Sequence, residues 1–265
     1  MQMLVDIHVH LADSRISDPL VFIGAARAAG VGWLLGTATR SNEWDMLTAL
    51  AARFPVCDCA LGIHPWHADE WSVETAAKLQ VLGCSPRVVA IGEIGLDFGA
   101  RGGDKDRQLS CFEDQVMIAR DAGKPVVLHV YKAWPVMRGV FKNAGLSTVG
   151  GVWHGFTGGP ELAREALDVG LHVSFGGAVL ETRNRRCRSA AAYVPEDRLL
   201  VESDGPDYPV YRDGAASSEA VSESGSVVDV YRTLADLRGV SVPRLAAAVA
   251  RNAARLFGVE LGTAE

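Results

Sequence analysis

Val88-Val89-Ala90-Ile91-Gly92-Glu93-Ile94-Gly95-Leu96-Asp97 opens on an unbroken apolar run and only later admits a carboxylate. A strand with one face in water alternates apolar and polar residues. An unbroken apolar run marks a strand covered on both faces, as in a parallel sheet flanked by helices. Val126-Val127-Leu128 reads the same way. Working outward, strand candidates fall at 3–10, 31–38, 57–63, 88–94, 125–130, 149–154, 171–176 and 199–204. Helical periodicity lies between them. In 107–122, Leu109, Phe112, Val116 and Ala119 recur at helical spacing before Gly123 stops the helix. Pro160 and Gly170 bracket another over 160–169, and Ser241 is placed to cap a last one over 243–257. Eight strand–helix units predict an α/β fold, a closed (β/α)8 TIM-like barrel whose strand C-termini share one mouth. An open dinucleotide-binding sheet is disfavoured, because no Gly-x-Gly-x-x-Gly follows the first strand.

At 265 residues, 48% of them hydrophobic, the chain suits one large domain or two small ones and can bury a substantial core. No apolar run is long enough to cross a bilayer, and the start lacks the order of a signal peptide. A cytoplasmic protein is the expectation. The cysteines Cys57, Cys59, Cys84, Cys111 and Cys187 are odd in number and irregular in spacing, which suits reduced thiols. Cys57 and Cys59 share a strand face but have no CxxC partner, so they read as small buried hydrophobes. A net charge of −6 argues against a long basic grip on duplex nucleic acid, though not against a local anionic substrate. No solenoid repeat appears. One small-residue loop near 214–227 stands out as low in complexity, and the stretch 205–227 could form a lid.

The chemistry begins in Leu4-Val5-Asp6-Ile7-His8-Val9-His10. Residues two apart on a strand share a face, so His8 and His10 aim both imidazoles at one point. Four further candidate ligands recur where other strands end: Glu93, His129, His154 and Asp204. Each alone reads as a satisfied buried histidine or a capping acid. Six at equivalent positions point to two divalent ions, more than one tetrahedral centre needs. The expected division gives His8, His10, Glu93 and Asp204 to the first ion. Glu93, His129 and His154 hold the second, with Glu93 shared. Asp6 and Asp97 are placed to orient ligands. Imidazole-rich coordination favours zinc, nickel or manganese over magnesium.

This constellation resembles the TatD family of metal-dependent hydrolases, within the amidohydrolase-like barrels. The likeness spans almost the whole chain. It rests on Asp6-x-His8-x-His10-Leu11, Gly62-Ile63-His64-Pro65-Trp66, Ala90 to Phe98, Pro125 to His129, His154-Gly155-Phe156-Thr157-Gly158, Leu199 to Asp204 with Pro206, and Asn252 to Phe257. The resemblance implies one hydrolase domain over 1–265, divalent cations (magnesium, manganese, zinc or nickel), and phosphodiester hydrolysis, typically 3′-to-5′ exonuclease action on DNA. The chain departs from the family pattern at Ile7 and Ala12. It has Tyr131-Lys132 where an Arg is usual two residues after the strand-five His. Ser203 and Gly205 flank Asp204, and Ser222-Glu223-Ser224-Gly225 stands where an Arg-Asn-x-Pro element is usual.

By the same analogy Asp204 binds metal and moves a proton as general base, with Glu93 and His64 completing the catalytic set. His64 would contact the phosphate or protonate the leaving oxygen, with a packing histidine as the alternative. His67 and His172 lie off the pattern. Lys132 and the run Arg183-Asn184-Arg185-Arg186-Cys187-Arg188 offer anion contacts, Arg183 foremost. Trp66, Trp71 and Trp134 fall in loops where bases can stack, although tryptophans commonly fill hydrophobic space. The expected partner is DNA or a small phosphodiester, with no membrane, met by a monomer. Two other readings stay open: an ester, lactone or amide hydrolase of the same architecture, and a non-catalytic interaction protein stabilised by metal.

Overall fold

In a computed structural model, the described residues are 3–145, 149–207, 210–212, 215–217 and 226–261. Eight strands follow one another in a single sheet: β1 (Leu4–Val9), β2 (Val31–Thr37), β3 (Cys57–Leu61), β4 (Val88–Asp97), β5 (Val126–Tyr131), β6 (Gly151–Trp153), β7 (Leu171–Phe175) and β8 (Leu199–Val201). Their order is the sequence order, and a parallel bridge from Val9 to Gly205 brings the first strand back to the segment after the last. This is the (β/α)8 arrangement that the apolar runs predict. β1, β3, β4, β6, β7 and β8 are buried at every position, as strands covered on both faces must be.

The helices are α1 (Pro19–Ala28), α2 (Trp44–Arg53), α3 (Val73–Gly83), α4 (Lys105–Ala122), α5 (Trp134–Ala144), α6 (Pro160–Asp168), α7 (Arg185–Tyr193), α8 (Ser226–Arg238) and α9 (Val242–Phe257). Asp104 caps α4 by accepting from the Asp106 and Arg107 amides, and Gly123 ends it in the left-handed region at φ 64°. Ser241 caps α9 by accepting from the Arg244 amide, as expected.

Chain contacts divide the molecule into two compact units: 1–35, 154–168 and 172–265, then 36–153 and 169–171. In the first unit, α9 serves as a brace for β8. Buried Asn252 donates to the carbonyls of Glu196 (2.7 Å) and Leu199 (2.9 Å), where β8 begins. Phe257 meets Trp33 at 5.6 Å between ring centroids. In the second unit, α4 carries two buried glutamines that read backbone rather than side chains. Gln115 accepts from the Ile63 amide (2.7 Å) and donates to the Ile63 carbonyl (3.1 Å). Gln108 makes the same paired contact with Asp97, accepting at 2.8 Å and donating at 3.0 Å. Each fixes a segment that carries a polar side chain of the site.

Several boundaries differ from the sequence reading. β4 runs on to Asp97, so Glu93 lies inside the strand, where the register with β5 shifts between Ile91 and Ile94. A Cβ on Gly95 would stand 2.0 Å from the His129 carbonyl oxygen, so only glycine lets these strands approach so closely. β6 and β8 stop early, at Trp153 and Val201, leaving His154 and Asp204 beyond their ends. Within the expected loop near 214–227, Ala215–Ser217 forms β10, antiparallel to β9 (Val210–Arg212). Ser222-Glu223-Ser224-Gly225, and most of the lid reading for 205–227, lie outside the described residues.

Gln115→Leu leaves the amide and carbonyl of Ile63 buried and unpaired. The expected loss is about 2 kcal/mol of stability, measured by urea unfolding. Unchanged stability would show that Ile63 finds other partners.

Candidate metal centre

In the first unit, side-chain alternation along β1 puts Asp6 and His8 on one face, and His10 follows just beyond the strand. Backbone pairing continues past the strand ends: the Asp204 amide donates to the His8 carbonyl (3.0 Å), and the His10 amide to the Gly205 carbonyl (2.8 Å). This ladder sets Asp204 beside the two histidines. Asp204 adopts φ 54°, a left-handed conformation uncommon for a residue with a side chain. The three ligand atoms form a triangle: His8 Nε2 to His10 Nε2 is 3.2 Å, and Asp204 Oδ1 lies 3.7 Å from the first and 3.6 Å from the second. Ligands about 2.0–2.2 Å from a tetrahedral cation are spaced by roughly 3.3–3.6 Å. Asp204 Oδ1 is buried and makes no hydrogen bond. The triangle therefore fits a divalent cation.

His154 stacks on His8, with centroids 3.9 Å apart and planes within 6° of parallel. It groups with His8 and Glu202, whereas the sequence reading placed it with Glu93 and His129. Glu202 belongs to the cluster too, a position that the strand-end pattern in the sequence does not pick out. Its Oε1 accepts from the Gly155 amide at 2.5 Å, and its buried Oε2 has no hydrogen bond. Burial raises the Glu202 pKa, with Asp204 adding to the shift. Burial also pushes Asp204 upward, but His10, His8 and His154 outweigh it and hold that carboxyl below its ordinary range. Asp6 accepts from the Ser203 amide (2.9 Å), and burial pushes its pKa up to about 7. It thereby ties β1 to the segment carrying Asp204. At the rim, the Arg15 guanidinium joins Asp13 to Asp207, whose other oxygen lies 3.7 Å from His10 Nε2.

The second unit holds its own cluster: His64, Glu93 and His129. Glu93 Oε1 lies 2.9 Å from His129 Nδ1 and 3.5 Å from His64 Nε2. The Trp66 amide donates to His64 Nδ1 at 3.1 Å, which places the proton of the neutral ring on Nε2. Asp97 accepts from Trp66 Nε1 (2.6 Å) and the Gly99 amide (2.7 Å), and its Oδ2 lies 3.5 Å from His129 Nε2. Burial raises its pKa, but His129, Gly99 and Trp66 prevail and bring it down to about 2. An ionised carboxylate thus backs the imidazole, the usual way of orienting a metal-binding histidine.

A model of the family described as TatD related DNase matches residues 5–258. The chain belongs to this TatD-related family. A Citrobacter rodentium protein named 3′-5′ ssDNA/RNA exonuclease TatD is 33% identical over 264 residues, covering 98% of this chain and 100% of that one. An Escherichia coli protein named uncharacterized metal-dependent hydrolase YcfH is 34% identical over 263 residues, covering 97% and 96%. The crystal structure of the E. coli TatD homolog YJJV superposes with a TM-score of 0.88 at 28% identity, covering 97% of this chain and 98% of that one. The shared TatD-related architecture puts the ligand-bearing segments above in a fold that relatives of nearly the same length also use.

The remaining predicted site residues fall in both units. Lys132, exposed and at φ 54°, directly follows β5, and its ammonium lies 5.2 Å over the Tyr131 ring. Arg183 is exposed just before α7, where Asn184 caps the helix. The basic run is not a uniform solvated face, since Arg188 donates to the Val179 carbonyl. Trp134 corrects the stacking expectation: it is 6% exposed and packs on Trp153 at 4.8 Å. Trp71 donates to Asp114, away from the ligand cluster, and Trp66 stays 42% exposed. His172 is buried and His67 half-buried beside Glu70. Four of the five cysteines are buried thiols, with Cys84 exposed.

Asp97→Asn is expected to weaken metal binding about 10- to 100-fold, measured by titration calorimetry. The same variant tests a proton linkage. The folded pKa of Asp97 lies near 2, below its ordinary 3.8, so its contribution is complete above pH 4 and lost as pH falls towards 2. Asp97→Asn should flatten that part of the acid dependence of stability.

Proposed function

We propose that this chain is a divalent-metal-dependent phosphodiesterase that removes nucleotides from the 3′ ends of single-stranded DNA or RNA. The observation that carries the reading is the triangle of His8 Nε2, His10 Nε2 and Asp204 Oδ1, in a chain whose family relatives are named as 3′-5′ exonucleases. Residues 1–265 act as one catalytic domain. One cation is held in each unit: by His8, His10 and Asp204 with help from His154 and Glu202, and by Glu93 with His129. The imidazole share favours zinc, nickel or manganese over magnesium. Five free cysteines, four of them buried, suit a reducing cytoplasm.

When bound, the cations supply an acidified water and neutralise charge building on the phosphoryl oxygens. The chain's own groups do the rest. Asp204, kept ionised by the imidazoles around it, accepts the proton that the attacking water gives up. Glu93 holds His129 in place from inside β4 and lies near His64. His64 presents an N–H at Nε2, because its Nδ1 is occupied by the Trp66 amide. That makes it a donor to the phosphate or the leaving oxygen and a poor metal ligand. Lys132 and Arg183 contact the phosphate backbone from exposed positions.

The test is a substrate panel run with several metals: end-labelled single-stranded DNA and RNA, bis-p-nitrophenyl phosphate and p-nitrophenyl acetate. Phosphodiester cleavage that proceeds from the 3′ end is expected. Cleavage of the acetate alone would overturn the reading in favour of a carbon-ester hydrolase. Glu93→Ala should abolish turnover and lower metal content. His64→Gln should reduce kcat by about 10²–10⁴ at unchanged metal content. Loss of metal from the His64 variant would instead make His64 a ligand.

A further inference from the structure

Three cation–aromatic pairs crowd the segments just beyond the second unit's cluster. The Arg101 guanidinium lies 5.5 Å from the Trp66 ring centroid, Lys105 Nζ 4.8 Å from Phe98, and Lys132 Nζ 5.2 Å from Tyr131. All three cations are exposed, and Trp66 and Tyr131 keep 42% and 49% of their surface open. The pairs are joined through backbone and side chains. Gly99 packs so closely on Tyr131 that a Cβ there would stand 2.7 Å from the ring, and its amide donates to Asp97. Trp66 donates to the same carboxylate. Asp97 in turn backs His129. Exposed carboxylates also occur here, but Asp104 is turned onto the first amides of α4 and spends its charge there.

Long cationic side chains in solution are loose, and ordering them on a ligand costs entropy. A ring beneath each one restricts it beforehand. Open aromatic faces beside fixed cations are what a single strand needs: the rings stack bases of any sequence while the cations meet successive phosphates. A duplex hides its base faces and gains nothing from the rings.

We propose that Arg101, Lys105 and Tyr131, with Trp66 and Lys132, form a sequence-tolerant track for single-stranded nucleic acid leading to the His64–Glu93–His129 cluster. The inference rests on the proposed nuclease reading for its direction, but binding along the track can be measured without cleavage. The probe is a series of 5′-fluorescein oligothymidylates two to eight nucleotides long, with phosphorothioate linkages, titrated with the metal-loaded full chain and followed by anisotropy. Affinity should rise with strand length. Arg101→Ala and Tyr131→Ala should each flatten that rise and weaken the eight-nucleotide complex about tenfold. Arg101→Ala should also reduce the slope of log affinity against log salt by about one. Tyr131→Phe should restore binding, because it keeps the ring. Wild-type affinity and length dependence in both alanine variants would overturn the track, as would wild-type binding that ignores length. Binding with the expected losses, together with no 3′ cleavage of unmodified single strands of the same length, would overturn the nuclease reading and leave the track standing.

Discussion

The cost of taking carboxylates and imidazoles out of water is the constraint from which the site follows. The first unit buries Asp6, Glu202 and Asp204 together with His8, His10 and His154. Three ionised carboxylates cannot share such a space without opposite charge. The three are therefore kept in different states. Burial pushes Asp6 towards its neutral form, and two backbone amides hold it as a strut. Glu202 is pushed the same way and spends one oxygen on the Gly155 amide. Asp204 alone is held ionised, by the imidazoles. An ionised carboxylate oxygen buried 3.6–3.7 Å from two ring nitrogens is an arrangement that a divalent cation fits. The left-handed backbone at Asp204 fits that account: local strain persists where the surroundings over-determine it, and such places are commonly functional.

The second unit solves the same problem with backbone clamps. Glu93 sits inside a fully buried strand, where the register shift turns it towards His64 and His129. Gln108 and Gln115 each satisfy both polar groups of one peptide position, and so fix Asp97 and the turn into His64 without adding charge. Buried peptide groups paired in this way favour one geometry of the segments that carry them. The two backbone clamps are neutral and lie on α4, while the ionisable groups, Asp97 among them, lie on or just after strands.

The sequence made the ligand-bearing positions legible because strand periodicity is local: His8 and His10 must share a face whatever the rest of the chain does. The eight apolar runs were readable for the same reason, as were the caps Ser241 and Gly123. What escaped depends on contacts between distant residues. Glu202 stands two residues before Asp204, and its part in the cluster follows from the early end of β8 and from the Gly155 amide it meets. Gln108 and Gln115 look like ordinary polar positions of an amphipathic helix until the backbone they serve is seen. Trp134 gave no sign of its depth, since a tryptophan opening a helix after a strand suits a rim as well as a core. Its partner Trp153 lies on another strand.

One departure from the family pattern acquires a physical meaning. The Arg usual two residues after the strand-five His is Tyr131 in this chain, which suggests a lost anion contact. Lys132 then adopts φ 54°, and its ammonium lies back over the Tyr131 ring. A lysine with ordinary strand geometry would point to the opposite face of β5. The left-handed turn therefore returns a cation to the neighbourhood of position 131 and leaves an exposed ring beneath it. A planar guanidinium offers a fixed fork for one phosphate, whereas an ammonium on a ring gives a looser point charge plus a stacking surface. On the proposed nuclease reading, such an exchange would give up bidentate grip on a single phosphate for tolerance along a strand. It leaves the imidazole–carboxylate clusters of both units untouched, so substrate grip can change while the metal-binding groups stay as they are.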